Sequence, residues 1–235
     1  MARQAQEHPA VLNEMTTTQM AELQRQFDDD DRDSFDAHID SYGLDRATGN
    51  DVWDWFAGGG TERLAEPVGP DDHVRGPADA SATVVVYGDY QCPYTRRALN
   101  AITALEGRIG DRFRLVYRHF PLREIHPHAA AAAELAEAAA DRGTFWEVHD
   151  HLFAHQGTLD PDHLSAYAAQ FGIPNEGSAP GRFEAGHRYA DRVEEDFQGG
   201  LRSGVGGTPT IYVNGRPHRG GYDEATLERA IALAR

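Results

Sequence analysis

The chain has 235 residues, of which 40% are hydrophobic, and a formal net charge of −16. All 22 of its basic residues are arginine, so a Walker A phosphate loop and a lysine Schiff base are excluded. The hydrophobic content suffices for a folded core, whereas the negative charge argues against nucleic acid and anionic membrane surfaces as partners.

The sequence contains no segment that suits insertion into a membrane or export across one. Its apolar stretches are much shorter than the roughly 20 residues of a membrane-spanning helix. The N-terminal stretch MARQAQEHPAVLNEM lacks the continuous apolar region of a signal peptide. Cys92 is the single cysteine, which precludes a disulfide within the chain. We therefore expect a soluble protein with no membrane span, located in the cytoplasm.

Residues 1–75 form an acidic N-terminal extension and linker whose composition differs from that of the rest of the chain. The pattern predicts a helix over residues 9–27, short helical pieces over 28–57 and a linker over 58–75. The extension is too rich in large apolar side chains for a purely disordered tail. These side chains include Trp53, Trp55 and Phe56. We expect them to cover an apolar surface of the remaining chain or to support a homodimer.

Residues 76–125 carry a strand–helix–strand pattern. Ala82–Tyr87 is a short apolar run rich in β-branched residues, which predicts a buried strand. A helix is expected over residues 93–108, because Pro93 suits the first position of a helix. Alternating apolar residues then predict a second strand, and this spacing suits a right-handed parallel unit. The alternating residues are Phe113, Leu115 and Tyr117.

Residues 126–203 are predicted to be an all-helical insertion. Alanine, the strongest helix former, fills most of residues 128–141. Three amphipathic helices follow. One face of the first carries Phe145, Val148, His149, Leu152 and Phe153. The same face of the second carries Leu164, Tyr167, Ala168 and Phe171, and that of the third carries Phe183, Ala190, Val193 and Phe197.

Residues 204–235 return to strands. Thr210–Val213 and Arg216–Gly220 flank an Asn-Gly turn, which is a strong hairpin signal. Asp223 is the expected N-cap of a last helix. The whole order of elements predicts an α/β, thioredoxin-like fold with an inserted α-helical domain, preceded by a helical or irregular N-terminal extension.

Several stretches of the chain match one family in the right order. They are Asp72–Asp79, Tyr87–Tyr94, Tyr117–Leu122, His126–Ala129, Phe145–Asp150 and Gly204–Ile211. On these motifs residues 72–235 resemble the DsbA-type thiol–disulfide oxidoreductases, in particular the branch that is also found fused to sodium/proton antiporters. The resemblance implies a cis peptide bond before Pro209. It also implies that the backbone of Thr208 binds an extended polypeptide or thiol substrate.

The active-site motif of this family is altered here. Cys92-Pro93-Tyr94-Thr95 has threonine where the resemblance implies a resolving cysteine, and Val86 stands where many relatives carry a buried glutamate. Cys92 is expected at the N-cap of a helix, where the helix dipole favours a thiolate. We further expect the N–H groups of Tyr94 and Thr95 and the Thr95 hydroxyl to donate hydrogen bonds to the sulfur.

These residues favour thiol–disulfide exchange through Cys92 alone, of the reductase, deglutathionylase or isomerase type, with an external thiol completing the reaction. Protein or small-molecule thiols and disulfides are the expected partners. Two alternatives stay open: a catalytically inactive peptide-binding module, or an enzyme similar to the kappa-type glutathione transferases.

No tightly bound cofactor is expected, although a low-molecular-weight thiol is a candidate co-substrate. The chain has 12 histidines, three of which are close together at His149, His151 and His155. They lack an HExxH motif or a completing ligand at a recognisable spacing, so no metal site is predicted.

Overall fold

A computed structural model describes residues 32–44, 64–174 and 187–234, together with residues 16, 19, 22 and 23. These residues contain a five-stranded sheet with the order β1-β3-β2-β4-β5. The strands are β1 His73–Arg75, β2 Ala82–Gly88, β3 Phe113–His119, β4 Thr210–Val213 and β5 Arg216–Pro217. The central pair, β2 and β3, is parallel, and the other neighbouring strands are antiparallel.

Seven helices have their bounds within the described part of the chain, and residues 19, 22 and 23 are also helical. The seven helices are α1 Arg32–Ser41, α2 Pro93–Ile109, α3 Ala129–Ala140, α4 Phe145–Ala154, α5 Pro161–Gln170, α6 His187–Arg202 and α7 Glu224–Leu233. Helix α2 connects the parallel strands β2 and β3, while α3–α6 follow one another between β3 and β4. The predicted α/β architecture with a helical insertion is confirmed. None of the helices in these described ranges is long and apolar enough to cross a membrane.

The central strand β2 is buried on both faces of the sheet. Val84 and Val86 pack into a large core with helices α2–α7, whereas Val85 and Tyr87 belong to a second apolar cluster on the opposite face. Successive side chains in a strand point to opposite faces, so a doubly covered strand reads as a continuous apolar run. This burial explains why the sequence identified β2 so clearly.

The segment before the sheet differs from the predicted linker. Residues 64–72 cross the second face, where Leu64 and Val68 pack on the apolar cluster and the Leu64 N–H donates to the Gly215 carbonyl at 2.7 Å. The sheet itself begins at His73, before the boundary placed at residue 76. A strand of three residues, two of them polar, is too short to show an alternating pattern.

The predictions for the N-terminal extension fall largely outside the described residues. This holds for Trp53, Trp55 and Phe56 and for most of the helix expected over residues 9–27. Within the described part, α1 is one of the expected short helical pieces, and it buries Phe35 and Ile39.

Candidate active site

Three strand ends meet at one edge of the sheet and bring distant segments together. Parallel pairing places Gly88 opposite His119, and antiparallel pairing places Tyr87 opposite Thr210. The segment after β2, the segment after β3 and the segment before β4 therefore share this edge. The first contains Cys92 and the last contains Thr208 and Pro209.

Cys92 is the N-cap residue of α2, and Pro93 occupies the first turn of that helix. The Cys92 thiol donates a hydrogen bond to the Thr208 carbonyl oxygen at an Sγ–O distance of 3.1 Å. The peptide bond between Thr208 and Pro209 is cis. Only 3% of Cys92 is exposed, so a partner must fit closely against this edge to reach the sulfur.

The sulfur is supported by fewer hydrogen bonds than the sequence predicts. The Cys92 side chain makes no capping hydrogen bond to the helix. Thr95 is fully buried, and its hydroxyl accepts a hydrogen bond from the Asp89 N–H at 3.4 Å, because it turns into the core. Tyr94, two residues after Cys92, is 64% exposed. The expected Thr95 hydrogen bond to the sulfur is therefore replaced by a contact that holds the loop before the helix.

Asp89 organises the loop that presents Cys92. Its buried carboxylate accepts hydrogen bonds through Oδ1 from the N–H groups of Gln91 at 2.6 Å and Cys92 at 3.2 Å. Through Oδ2 it accepts from the Leu122 N–H at 2.7 Å and from His126 Nδ1 at 3.0 Å. Sequence reasoning assigned Asp89 no role, although an aspartate shortly before a helix is a recognised signal for such a turn.

The helical insertion also holds this loop. Gln156, which follows α4, donates through Nε2 to the Tyr90 carbonyl at 2.8 Å and to the Cys92 carbonyl at 2.9 Å. Gln91 accepts a hydrogen bond from the His128 N–H at 2.6 Å. No local signal could reveal Gln156, because it acts on residues more than 60 positions earlier. The insertion thus limits the movement of the backbone around Cys92.

A close contact beneath the active-site helix depends on a glycine. A Cβ atom on Gly88 would lie 2.6 Å from Tyr117 Cε2 and 2.8 Å from Thr95 Cγ2. The Tyr117 hydroxyl is buried there without a hydrogen-bond partner among the described residues, and burial raises its pKa well above the ordinary value. Val86 is also fully buried. Because this residue is valine, β2 contributes no carboxylate to the region beneath the active-site helix, where the buried polar group is the Tyr117 hydroxyl.

A buried histidine lies behind the active-site loop. His149 Nδ1 is 3.0 Å from the Tyr90 hydroxyl oxygen. Burial lowers the pKa of His149 well below 6.5, and the positive charge of Arg75 acts in the same direction. The folded protein therefore favours the neutral form of the His149 imidazole.

Acidification should destabilise the protein through His149. Below pH 6.5 the histidine of the unfolded chain gains a proton that the folded His149 resists, so the unfolded state is favoured as the pH falls. We expect this group to lower the free energy of unfolding by up to about 1.4 kcal/mol per pH unit, with the full slope reached well below pH 6.5. Urea unfolding from pH 7 to 5 measures the slope. His149→Phe should reduce it, whereas the exposed His155→Ala should leave it unchanged; equal slopes would contradict this role.

The clustered histidines of the helical insertion do not form a site with one another. His149 bonds to Tyr90, while the rings of His151 and His155 stack at 4.1 Å. His119, at the end of β3, contacts Glu137. Within the described ranges, the residues whose ligand atoms converge are His73, His119 and Glu137.

Comparison with known proteins supports the resemblance seen in the motifs. A family model described as Thioredoxin matches residues 69–232. Na(+)/H(+) antiporter NhaA 1 of Salinispora arenicola is 47% identical over 175 residues, which are 73% of this chain and 26% of that protein. Na(+)/H(+) antiporter NhaA 1 of Mycolicibacterium gilvum is 39% identical over 174 residues, 74% of this chain and 28% of that protein. The chain thus spans about a quarter of the length of these curated relatives.

Solved structures show the same architecture. A thioredoxin-like oxidoreductase from Silicibacter pomeroyi aligns with a TM-score of 0.59 and 26% identity, covering 71% of this chain and 94% of that one. Oxidised BdbD from Bacillus subtilis aligns with a TM-score of 0.60 and 22% identity, covering 74% of this chain and 97% of that one. The match to BdbD concerns the fold, and together these similarities confirm the DsbA-like interpretation of the motifs.

Proposed function

The chain belongs to the thioredoxin family, and from that premise we propose that it carries out thiol–disulfide exchange with Cys92 as its single reactive sulfur. The observation that supports this most directly is the position of Cys92. Cys92 is the N-cap residue of α2, and its Sγ atom lies 3.1 Å from the backbone oxygen of Thr208, beside the cis peptide bond.

The first step forms one disulfide bond and breaks another. The Cys92 thiol loses its proton, and the thiolate attacks one sulfur of a partner disulfide. A mixed disulfide forms between Cys92 and that sulfur, and the other sulfur of the partner leaves as a thiolate. Deprotonation also ends the hydrogen bond to Thr208, so its carbonyl becomes free to accept an N–H from an extended polypeptide.

The second step needs a thiol from outside the chain. Cys92 is the only cysteine, and the residue that follows it by three positions is the buried Thr95. When an external thiolate attacks the partner sulfur, Cys92 leaves as the thiolate and the partner keeps a mixed disulfide with the external thiol. When it attacks the Cys92 sulfur, the partner leaves as the thiolate, and a second external thiolate must then displace the first from Cys92 as a low-molecular-weight disulfide. A low-molecular-weight thiol meets this requirement, and we place the reaction in the cytoplasm, where such thiols stay reduced.

The binding part of the proposal concerns Thr208, Pro209 and the residues around Cys92. Pro93 and Tyr94 are exposed beside the sulfur and offer contact area to a partner. The Thr208 hydroxyl is buried without a hydrogen-bond partner among the described residues, so it is a donor that a bound partner would reach only if the side chain rotated. Asp89 and Gln156 position the loop and need not touch the partner.

Mass spectrometry of the protein incubated with oxidised glutathione tests the proposal. We expect one glutathione to be added, on Cys92, and reduced glutathione to remove it. Cys92→Ser should show no addition, and His163→Ala, a surface change on α5, should behave like the unaltered protein. Failure to form this adduct and an equivalent peptide adduct in the folded protein would contradict an exchange function.

A non-catalytic peptide-binding module is the second candidate, favoured by the 3% exposure of Cys92 and its hydrogen bond to a carbonyl. Calorimetry with disulfide-containing peptides distinguishes the two candidates. Binding that is equal for the unaltered protein and for Cys92→Ser, with no adduct, would support the module. A covalent adduct in the unaltered protein alone would support exchange.

A further inference from the structure

Three side chains with metal-binding atoms converge where β1, the end of β3 and helix α3 meet. His73 Nε2 and His119 Nε2 each lie 2.7 Å from the same carboxylate oxygen, Oε1 of Glu137. One ligand atom from each residue lies within 4.8 Å of the others. The contacts that hold Cys92 and its loop do not use this cluster, so the proposed exchange reaction leaves its role open.

We propose that His73, His119 and Glu137 bind a divalent transition-metal ion, for which Zn²⁺ is the probe. Imidazole nitrogens and carboxylate oxygens bind Zn²⁺ at about 2.0–2.2 Å. Two ligand atoms around a tetrahedral ion of this kind are therefore about 3.3–3.6 Å apart. The observed 2.7 Å separations need to widen by roughly 0.6–0.9 Å, which small side-chain rotations supply. Two imidazoles and one carboxylate form a ligand set that divalent first-row metals accept, with the remaining positions open to water.

The surroundings restrict all three ligands before any ion arrives. The His73 ring stacks on Phe145 with ring centres 3.5 Å apart and an angle of 9°. The side chains of His119 and Glu137 are only 1% and 6% exposed, so packing restricts both. His73 is 13% exposed on the edge strand β1, which gives an ion its route into the cluster. Such preorganisation reduces the cost of assembling a site.

The second nitrogen of one ligand limits the expected affinity. His119 Nδ1 is buried and has no hydrogen-bond partner among the described residues. A metal-bound histidine usually donates its other N–H to a carboxylate, a carbonyl or water, and loss of that partner costs about 10- to 100-fold in affinity. The proposed site should therefore bind its ion more weakly than a structural zinc site with a complete outer shell.

An ion in this position would join segments that are distant in sequence. His73 is 46 positions from His119 and 64 from Glu137, so the ion would connect the edge strand to the sheet and to the helical insertion. A ligand that binds the folded state stabilises it by mass action. At 100 times its dissociation constant, Zn²⁺ should raise the melting temperature by about 5 °C or more.

The test uses the full chain carrying Cys92→Ser, because a free thiol is itself a zinc ligand. After treatment with EDTA and desalting, the protein is titrated with zinc chloride by isothermal calorimetry. We expect saturable binding of one ion to the cluster and the rise in melting temperature. Absence of saturable binding would overturn the proposal and identify the cluster as a hydrogen-bonded triad only.

Matched variants locate the ion. His73→Ala and Glu137→Gln should each weaken zinc binding at least about 100-fold, whereas His155→Ala, which removes an exposed histidine next to His151, should not. Binding that survives the first two changes, or that disappears with His155→Ala, would show an adventitious surface ion and refute the site. Circular dichroism checks folding. If Glu137→Gln does not fold, the more exposed His73→Ala decides.

Discussion

Replacing Thr95 by cysteine should release the partner from the Cys92 mixed disulfide without any external thiol. Residues three positions apart on a helix have Cβ atoms about 5–6 Å apart, and small backbone adjustments bring such pairs within disulfide range. The introduced thiolate would attack the Cys92 sulfur and expel the partner thiolate, leaving a disulfide within the chain. Because the attack is intramolecular, we expect release at least about 1,000-fold faster than with millimolar external thiol.

The measurement follows the glutathione adduct on Cys92 over time after excess thiol has been removed. In the unaltered protein the adduct should persist. In Thr95→Cys the adduct should disappear and leave a chain that is two hydrogen masses lighter than the reduced variant, because it now holds an internal disulfide. Thr95→Ser is the matched control, since it retains the hydroxyl that accepts from Asp89 and adds no second sulfur. Equal adduct lifetimes in the cysteine variant and this control would refute the proposal that the missing sulfur determines the reaction.

Replacing Arg118 by methionine should destabilise the protein by about 3–5 kcal/mol. Arg118 Nε and Nη2 donate to the two Asp72 oxygens at 2.7 and 2.9 Å, and both side chains are only 5% exposed. Its Nη1 donates to the Tyr87 hydroxyl at 2.9 Å and to the Glu66 carbonyl at 3.0 Å. Burial alone would raise the pKa of Asp72, but Arg118 holds it below its ordinary value. The substitution would therefore leave an ionised carboxylate buried without its partner.

Urea unfolding at pH 7 measures this loss against a surface ion pair. Arg108 also bonds to two carboxylates, Glu224 at 3.0 Å and Glu228 at 2.8 Å, but its side chain is 54% exposed. Arg108→Met should cost no more than about 1 kcal/mol, because water screens exposed pairs. If both variants lost the same stability, Arg118 would not be the anchor that holds residues 64–72 to the sheet.

Local and periodic patterns in the sequence predicted much of the fold. The apolar run of β2 and the alanine-rich stretch of α3 were visible because strand burial and helix propensity act over neighbouring residues. Pro93 and Asp223 marked helix starts correctly, and Asp223 accepts a hydrogen bond from the Thr226 N–H. The sequence did not predict strand β1, because its three residues gain their structure from pairing with residues of β3 that lie 40 to 44 positions later.

The candidate site also has some features that the sequence predicts and others that only the tertiary structure shows. The sequence by itself determined that a single sulfur precedes a helix, that no second thiol follows, and that the chain carries family motifs in order. Only the tertiary structure decided that the Cys92 thiol bonds to Thr208, that Thr95 turns into the core, and that Asp89 and Gln156 hold the loop. The tertiary structure also brought the side chains of His73, His119 and Glu137 together. The physical reason is that such contacts depend on strand register and on packing between segments far apart in the chain, which no neighbouring residues encode.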